Sequence, residues 1–265
     1  MISKRSEEET KQVAGEGIEV VANEPFNDGK HFGNYTYKIM HVKSRIPSFI
    51  RWALPDSYCH CHEKSWNAYP NFHTEYAVPG MGDNFVMIVD SYHIPYKHGD
   101  RIPENALKLT EEELQERKIV YLDILNGEPK PDQEHDISNW TCQSLNVHQP
   151  LRTYLKDPIA TGNDSEPPLW THNYPGDMTM AIKVVKIQFK WRGLQTLVEK
   201  YATTMFYYNL FQQNHRSMLL WAEAWSQMTL EEVSEFESRI YDQNNETDFV
   251  RDGTVPLTNT NDHIH

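Results

Sequence analysis

The sequence has no long hydrophobic run. None of its 265 residues lies in an apolar stretch that approaches the roughly 18 residues needed for a transmembrane helix. The N-terminal residues lack the apolar core of a signal peptide. The 3 cysteines are an odd, small number for a secreted disulfide scaffold. These absences predict a soluble protein that stays in the cytosol and does not span a membrane.

Positive charge is also scarce. The chain carries 25 Lys and Arg against 38 Asp and Glu, a formal net charge of −13 at pH 7. Such a chain gains little from releasing the counterions of DNA or RNA, which argues against a nucleic-acid binder. Anionic lipid surfaces should repel it at long range. Because 12% of the residues are aromatic, any membrane contact is expected to be local, through a few exposed aromatic and basic side chains.

Catalytic and metal-binding motifs are missing as well. The sequence has no Gly-x-Ser-x-Gly elbow, no Walker loop and no dinucleotide fingerprint. The run Cys59-His60-Cys61-His62 lacks the two-residue gap usual between paired zinc thiolates. The run His62-Glu63-Lys64-Ser65-Trp66 is not a zinc helix, because Trp66 occupies the position of the second ligand. We therefore expect no enzyme, no metal site and no cofactor.

Residues 1–245 show no repeat and no long low-complexity linker, which favours a single domain followed by a polar flexible tail, 246–265. Alternating apolar and polar residues, bounded by Gly, Pro and Asp clusters, predict short strands. The predicted strands are residues 18–21, 35–42, 49–54, 85–92, 119–124 and 180–191.

Two capping boxes, Thr110 with Glu113 and Thr229 with Glu232, predict helices that begin after these threonines, the second ending near residue 241. One-sided apolar periodicity predicts a long helix over 194–227, and residues 7–15 are typical of the end of a polar helix. Between the two capping boxes, residues 129–175 are polar and Pro-rich, which indicates a long surface excursion.

A sheet that comes first and a long helix that comes last predict an α+β fold, with the helix across the mouth of a curved antiparallel sheet. The space between them is either packed core or a ligand cavity. Composition alone favours packed core.

Two charged residues bear on that choice. Period two places Lys183 on the same strand face as Val185 and Ile187. An unpaired ammonium there costs several kcal/mol, so Lys183 needs an anionic partner or a wet cavity, unless it reaches water from the strand end. Glu237 borders the apolar side of the last helix. It is either a solvated flanking carboxylate or a group directed at hydroxyls or a cation inside a site.

A weaker signal lies in the second predicted strand. There Thr36 and Lys38 share a face with Met40 and Val42. A hydroxyl and an ammonium beside apolar residues could hold a phosphate headgroup.

Four contiguous blocks resemble the phosphatidylinositol transfer proteins, in the same order and at similar spacing. They start at Gly15-Glu16-Gly17, Tyr35-Thr36-Tyr37, His62-Glu63-Lys64 and Phe189-Lys190-Trp191. The third block continues to Trp66-Asn67-Ala68-Tyr69-Pro70, which is highly specific, and the resemblance covers about residues 10–245. It implies a START-like fold in which the curved sheet and the C-terminal helix enclose a cavity for one phosphatidylinositol or phosphatidylcholine.

The resemblance also implies roles for individual residues. The implied headgroup-binding residues are Thr36, Lys38, Asn67, Lys183 and Glu237. Membrane docking would use Trp191 and Arg192, where the family commonly has two adjacent tryptophans. Ser144 falls near a regulatory serine of the family, which implies a phosphorylation site.

The sequence departs from the family pattern at its start and at one cavity position. Members generally begin with an additional strand and a longer first helix, so we expect this chain to lack that strand and part of the cavity wall. Phe72 stands where well-known members carry a cysteine near bound phosphatidylcholine.

The expected function is that of a monomeric cytoplasmic carrier, transiently peripheral on membranes, which exchanges phosphatidylinositol for another phospholipid without covalent chemistry. The bound phospholipid is then cargo, and no cofactor is needed. The alternative is a lipid-sensing or presenting module that supports phosphoinositide kinases. The ranking of phosphatidylinositol, phosphatidylcholine and phosphatidic acid as cargo stays open.

Overall fold

The computed structural model describes residues 16–41, 43–46, 48–52, 54–127, 131–155, 166–190, 193 and 210–246. Six strands in these ranges form one curved antiparallel sheet, and each strand pairs with the next one along the chain. The strands are β1 (Gly17–Asn27), β2 (Phe32–His41), β3 (His60–Ala68), β4 (Asn71–Ala77), β5 (Phe85–Tyr96) and β6 (Met178–Phe189).

Helices follow and interrupt this sheet. They are α1 (Ser48–Arg51), α2 (Glu111–Glu116), α3 (Gln213–Leu220), α4 (Ala222–Trp225) and α5 (Leu230–Asn245). Both predicted capping boxes are present, and they begin α2 and α5. Within the described ranges, none of these helices is both long enough and apolar enough to cross a bilayer. A meandering sheet with a C-terminal helix confirms the predicted α+β class.

The pairing register defines two faces of the sheet, because directly paired residues of an antiparallel sheet point to the same side. Phe211 packs on one side, in an apolar cluster with Met87 and Val89; we call this side the inner face. The other side, the outer face, carries Lys186, whose ammonium lies 2.5 Å from the Glu113 carboxylate of α2. The predicted separation of the two faces of β6 is therefore confirmed.

One end of α5 is attached to the edge strand β1. A bulge shifts the β1–β2 register between Val20 and Ala22. The backbone N–H of Val20 donates to Asn245 Oδ1 at 2.9 Å, and Asn245 Nδ2 donates to the Val20 carbonyl at 2.8 Å. The Asn245 side chain thus binds the backbone N–H and carbonyl of Val20, which could otherwise pair with a neighbouring strand.

Two predicted strands are wrong. Residues 49–54 begin in the short helix α1 and continue into a turn, because β2 pairs directly with β3 and leaves no place between them in the sheet. Residues 119–124 are irregular. Instead of a strand partner, the carbonyls of Asp123 and Ile124 accept hydrogen bonds from the side chains of Gln212 and Arg216.

The described part of the helix predicted over 194–227 is interrupted. Residues 194–209 lie outside the described ranges, as do residues 7–15. From residue 213 the chain forms α3 and α4, which are separated at Trp221, where φ is −97° and ψ is 8°. The final helix, predicted to end near 241, extends to Asn245, and its first residue, Leu230, is exposed.

The described part of residues 129–175 was predicted to be a surface excursion, but it also contributes to an apolar core. Its short turns enclose a second apolar cluster, which joins α4 through Ala222. The buried members are Leu125, Ile137, Cys142, Val147, Leu151, Trp170 and Ala222. This segment therefore has its own core, which packs on the helices rather than on the inner face of the sheet.

Candidate functional site

The register places the four strand-borne headgroup candidates on the inner face of the sheet. Three cross-strand rows contain them. The rows are Asn34, Asn67, Phe72, Ser91 and Lys183; Thr36, Ser65, Thr74, Val89 and Val185; and Lys38, Glu63, Tyr76, Met87 and Ile187. Polar residues occupy the β2–β4 part of the last two rows, and apolar residues occupy their β5–β6 part.

Thr36 is the central polar group of this face. Its side chain is only 3% exposed, and Oγ1 has no hydrogen-bond partner among the described residues. The hydroxyls of Ser65 and Thr74, next along its row, lie 3.0 Å apart and satisfy each other. A buried hydroxyl without a partner costs about 1–3 kcal/mol. Thr36 is therefore suited to bind a polar group that enters from outside the protein.

Lys38 lies one row away and is also 3% exposed. Its ammonium donates to Glu63 Oε1 at 3.2 Å. Burial lowers the pKa of Lys38, but the charges of Glu63, Tyr241 and Glu237 outweigh burial and leave this pKa raised. The structure thus brings Glu237 of α5 into the electrostatic neighbourhood of Lys38, on the side of the helix that faces the sheet.

Asn67 joins this group through a close approach of two strands. A Cβ at Gly33 would lie 2.0 Å from the Asn67 carbonyl oxygen, which is possible only without a side chain there. Gly33 thereby lets β2 run close to the end of β3, and Asn67 lies opposite Asn34. Thr36, Lys38 and Asn67 therefore lie in neighbouring rows of the inner face. Glu237 is connected to them through its charge effect on Lys38.

Lys183 lies in a different part of the inner face. At the usual spacing of about 4.8 Å between strands, β6 is about 14 Å from β3 across the sheet. The Lys183 ammonium donates to Ser91 Oγ at 3.0 Å and lies 5.3 Å from the centroid of the Phe211 ring. Burial lowers the pKa of Lys183. Its ammonium is directed into the protein, so the inward position predicted for Lys183 is confirmed and its extension to water is wrong.

His93 belongs to the same end of the inner face. Its Nε2 is buried and has no hydrogen-bond partner in the part of the chain that the structure describes. Burial, with the charges of Lys183 and His215, lowers the pKa of His93 to about 4. The ring is therefore neutral near pH 7.

This shift predicts a loss of stability on acidification. Between about pH 6.5 and pH 4 the unfolded chain protonates His93 and the folded chain does not, so the free energy of unfolding falls as the pH falls. A His93→Gln variant should lose part of this slope in denaturant unfolding at pH 7 and pH 4.5. His73, whose pKa is raised by Asp90, has the opposite slope and is common to both proteins. Equal slopes would contradict the assignment to His93.

Of the predicted docking site and the predicted phosphorylation site, the structure describes only the second. Trp191 and Arg192 lie outside the described residues. Ser144 lies in the segment 131–155, which we call the loop, at its contact with α4. Its hydroxyl is 2.7 Å from that of Ser226, and its N–H is directed at the Glu223 carboxylate at 3.4 Å. Hydrogen bonds, first from Ser144, lower the pKa of Glu223.

We next compared the sequence of this chain with those of known proteins and protein families. The family profile described as phosphatidylinositol transfer protein matches residues 1–242 of this chain. The chain belongs to the phosphatidylinositol transfer protein family. The family resemblance predicted from four sequence blocks is thereby confirmed.

Individual relatives support the same membership. Phosphatidylinositol transfer protein 2 of Dictyostelium discoideum is 33% identical over 237 residues, which are 89% of this chain and 84% of that protein. The human phosphatidylinositol transfer protein beta isoform is 32% identical, over 84% of this chain and 78% of its own length. Protein retinal degeneration B of Drosophila melanogaster is 28% identical over 89% of this chain but only 18% of its own length.

Several inner-face residues of this family member were not predicted. Glu63, Tyr76, Ser91 and His93 all line the rows or lie beside them. The signal for Glu63 was present, since Cys61, Glu63, Ser65 and Asn67 alternate along one strand. It was missed because β3 carries polar residues on both faces and lacks the apolar alternation that identifies a half-buried strand.

Proposed function

We propose that this protein is a phospholipid carrier, which holds one phosphatidylinositol or phosphatidylcholine in a closed cavity against the inner face and exchanges it between membranes. No covalent chemistry takes part, and the lipid is cargo rather than cofactor. Family membership supports this function, as do two relatives named phosphatidylinositol transfer proteins at 33% and 32% identity. The carrier is a cytoplasmic monomer that contacts membranes transiently.

The observation that carries the proposal is the unpartnered Thr36 hydroxyl beside the buried Lys38–Glu63 pair. An inositol ring offers several hydroxyls, each of which both donates and accepts. Thr36, Lys38, Asn67 and Glu237 supply the matching groups, and the ring would satisfy the Thr36 hydroxyl.

The phosphate of the headgroup is assigned to the other end of the inner face. There Lys183 has an ammonium next to the Ser91 hydroxyl, whereas the ammonium of Lys38 is already engaged by Glu63. A phosphate placed at Lys183 would receive charge-assisted hydrogen bonds in a poorly hydrated environment, where they are strong. Phosphatidylinositol and phosphatidylcholine share this phosphate.

Membrane docking is proposed at the end of the sheet where β2 and β6 finish. These strands run in the same direction, and the described Trp52 follows α1 beyond the end of β2. In the sequence, Trp191 comes two residues after the last residue of β6. Trp52 is 82% exposed. Tryptophan side chains favour the membrane interface, and Arg192 can meet lipid phosphates there.

Regulation through Ser144 is part of the proposal. A phosphate on Ser144 would add about −1.5 to −2 charge at pH 7 next to the Glu223 carboxylate. The contact between the loop and α4 rests on hydrogen bonds that Glu223 and Ser226 make with this loop. Repulsion would therefore separate the two elements.

A Thr36→Val variant tests the carrier function and the position of the headgroup. Removing a buried hydroxyl without a partner should not lower the melting temperature of protein loaded with phosphatidylcholine. The ratio of phosphatidylinositol to phosphatidylcholine transfer should fall about tenfold, since a bound inositol loses one buried hydrogen bond. The measurement is transfer between liposomes of defined composition, with no other protein present.

A matched control for this test is Thr153→Val, an exposed threonine in the described segment 131–155, outside the sheet. It should transfer both lipids like the unmodified protein. Equal loss of both lipids in Thr36→Val would contradict the position of the inositol. Absence of transfer by the unmodified protein would contradict the carrier function itself.

A further inference from the structure

The end of the sheet opposite Trp52 carries two strongly exposed aromatic side chains. Phe32, the first residue of β2, and Tyr69, which directly follows β3, are each 70% exposed. Among the described residues, only Trp52 is a more exposed aromatic side chain. Single apolar residues scattered over a surface are ordinary, so the decisive question is whether these two lie together.

The strand register places the two aromatic residues side by side. Asn34 of β2 lies directly opposite Asn67 of β3, and extending this register by two positions brings Phe32 level with Tyr69. The strands stay close here, because a Cβ at Gly33 would lie 2.0 Å from the Asn67 carbonyl oxygen. Phe32 and Tyr69 therefore form one exposed patch, which we call the aromatic tip.

The turn that leads into Phe32 is fixed by a single carboxylate. Asp28 accepts hydrogen bonds from the backbone N–H groups of Lys30 and His31, at 2.8 and 2.6 Å, and lies 2.9 Å from the His31 ring nitrogen. These bonds set the conformation of the turn without any contribution from the Phe32 side chain. The exposure of Phe32 is thus not required to form the turn between β1 and β2.

The charge around the aromatic tip differs from that of the whole chain. Residues 27–34 and 67–72 contain one acid, Asp28, and one lysine, Lys30, so their formal charges cancel, whereas the chain has a net charge of −13. An anionic lipid surface repels the chain as a whole. The aromatic tip has no local excess of negative charge to oppose contact with such a surface. Aromatic side chains favour the membrane–water interface, tyrosine in particular because its ring is apolar and its hydroxyl is polar.

We propose that the aromatic tip is a second membrane-contact site, whose two rings enter the interfacial region of a lipid bilayer. β2 has 10 residues, so at about 3.4 Å per residue the aromatic tip lies about 30 Å from the end of β2 that leads to Trp52. The protein thus has one membrane-contact site at each end of the sheet and can bridge two apposed bilayers. This contact goes beyond the proposed carrier function, and it is measurable without any lipid transfer.

A fluorescent label beside the aromatic tip tests the contact directly. Asn71 is exposed, begins β4 and lies two positions after Tyr69, so an Asn71→Cys variant offers a thiol there. Cys59 and Cys142 are buried, and burial raises the pKa of the Cys61 thiol to about 12, so a thiol reagent near pH 7 selects the introduced position. Vesicles of phosphatidylcholine and phosphatidylserine should shift the emission of an environment-sensitive dye toward the blue.

The same label measures what the two aromatic rings contribute. Adding Phe32→Ser/Tyr69→Ser should lower the apparent vesicle affinity reported by the dye about tenfold, because the apolar area that enters the interface is lost. Phe32→Trp should raise this affinity. The matched control is Ile119→Ser/Leu169→Ser, which removes two exposed apolar side chains outside the sheet and should leave the dye response unchanged. Circular dichroism and the melting temperature establish that each variant is folded.

Bridging has its own measurement, the clustering of vesicles followed by dynamic light scattering. The unmodified protein should cluster vesicles. Phe32→Ser/Tyr69→Ser should bind vesicles through the other end of the sheet and leave them single.

Three results would overturn the inference. The first is a dye that does not respond to vesicles that bind the labelled protein. The second is unchanged clustering by a folded Phe32→Ser/Tyr69→Ser variant. The third is a dye that responds to protein concentration alone, in the absence of lipid, because the aromatic tip would then be a contact between copies of this chain. Since none of these measurements involves transfer, the carrier function stands or falls separately.

Discussion

A Lys183→Met variant should lose transfer of phosphatidylinositol and of phosphatidylcholine together. Lys183 is separated from Thr36 and Lys38 by the width of several strands, and its ammonium lies next to Ser91 and Phe211. If it binds the phosphate that both lipids share, both lose the same charge-assisted hydrogen bond. Such bonds contribute about 1.5–3 kcal/mol, so transfer of each lipid should fall by about 100-fold.

The stability of this variant should not fall with its activity. Burial lowers the pKa of Lys183, which means that its charged form is disfavoured in the folded protein. Methionine has a similar shape without the charge, so the melting temperature should be equal or higher. Lys186→Met is the control on the same strand, because it removes a charge from the outer face and an exposed pair with Glu113. Normal phosphatidylcholine transfer by Lys183→Met would place the phosphate elsewhere.

An Arg216→Ala variant should be among the most destabilising single changes in the described part of the chain. Arg216 is 1% exposed and donates to the carbonyl oxygens of Ile124 and Gly127 at 2.7 and 3.4 Å. Its removal takes a donor from two partly buried carbonyls and creates a cavity. The free energy of unfolding should fall by about 3–5 kcal/mol, and the melting temperature by roughly 10 °C.

The cluster around Arg216 explains why the effect should be large. Asp123 accepts hydrogen bonds from Trp170 Nε1 at 3.0 Å through its side chain and from Gln212 Nε2 at 2.9 Å through its carbonyl. The bond from Gln212 attaches the N-terminal end of α3 to the segment that contains Asp123. Arg239→Ala is the control, because Arg239 is exposed on α5 and lies 5.3 Å from the Phe236 ring. Denaturant unfolding that shows less than about 1 kcal/mol for Arg216→Ala would contradict this role.

The sequence predicted those parts of the structure in which local pattern and tertiary environment agree. Residues 185–189 of β6 alternate between apolar and polar side chains, so the inward position of Lys183, two residues before Val185, followed from spacing alone. The capping boxes at Thr110 and Thr229 are local interactions, and the helices begin there. Family resemblance pointed to Thr36, Lys38, Asn67 and Glu237, which lie on three separate elements.

The errors occurred where distant contacts decide the backbone conformation. Residues 119–124 have a strand-like pattern, but their carbonyls are satisfied by Gln212 and Arg216, which lie about 90 positions later. No local pattern contains that information. β3 and β4 were missed for a different reason: their inner face carries the polar residues Glu63, Ser65 and Thr74, which weaken the apolar alternation that identifies a half-buried strand.

The contact between Asn245 and Val20 has a consequence for the behaviour of the protein in concentrated solution. An unpaired strand edge is a template on which a second copy can add its own strand and begin to aggregate. Asn245 occupies the donor and the acceptor of Val20 at the β1 edge. A movement that separates the C-terminal end of α5 from β1 would break these two hydrogen bonds. Such a separation should therefore increase self-association through the β1 edge.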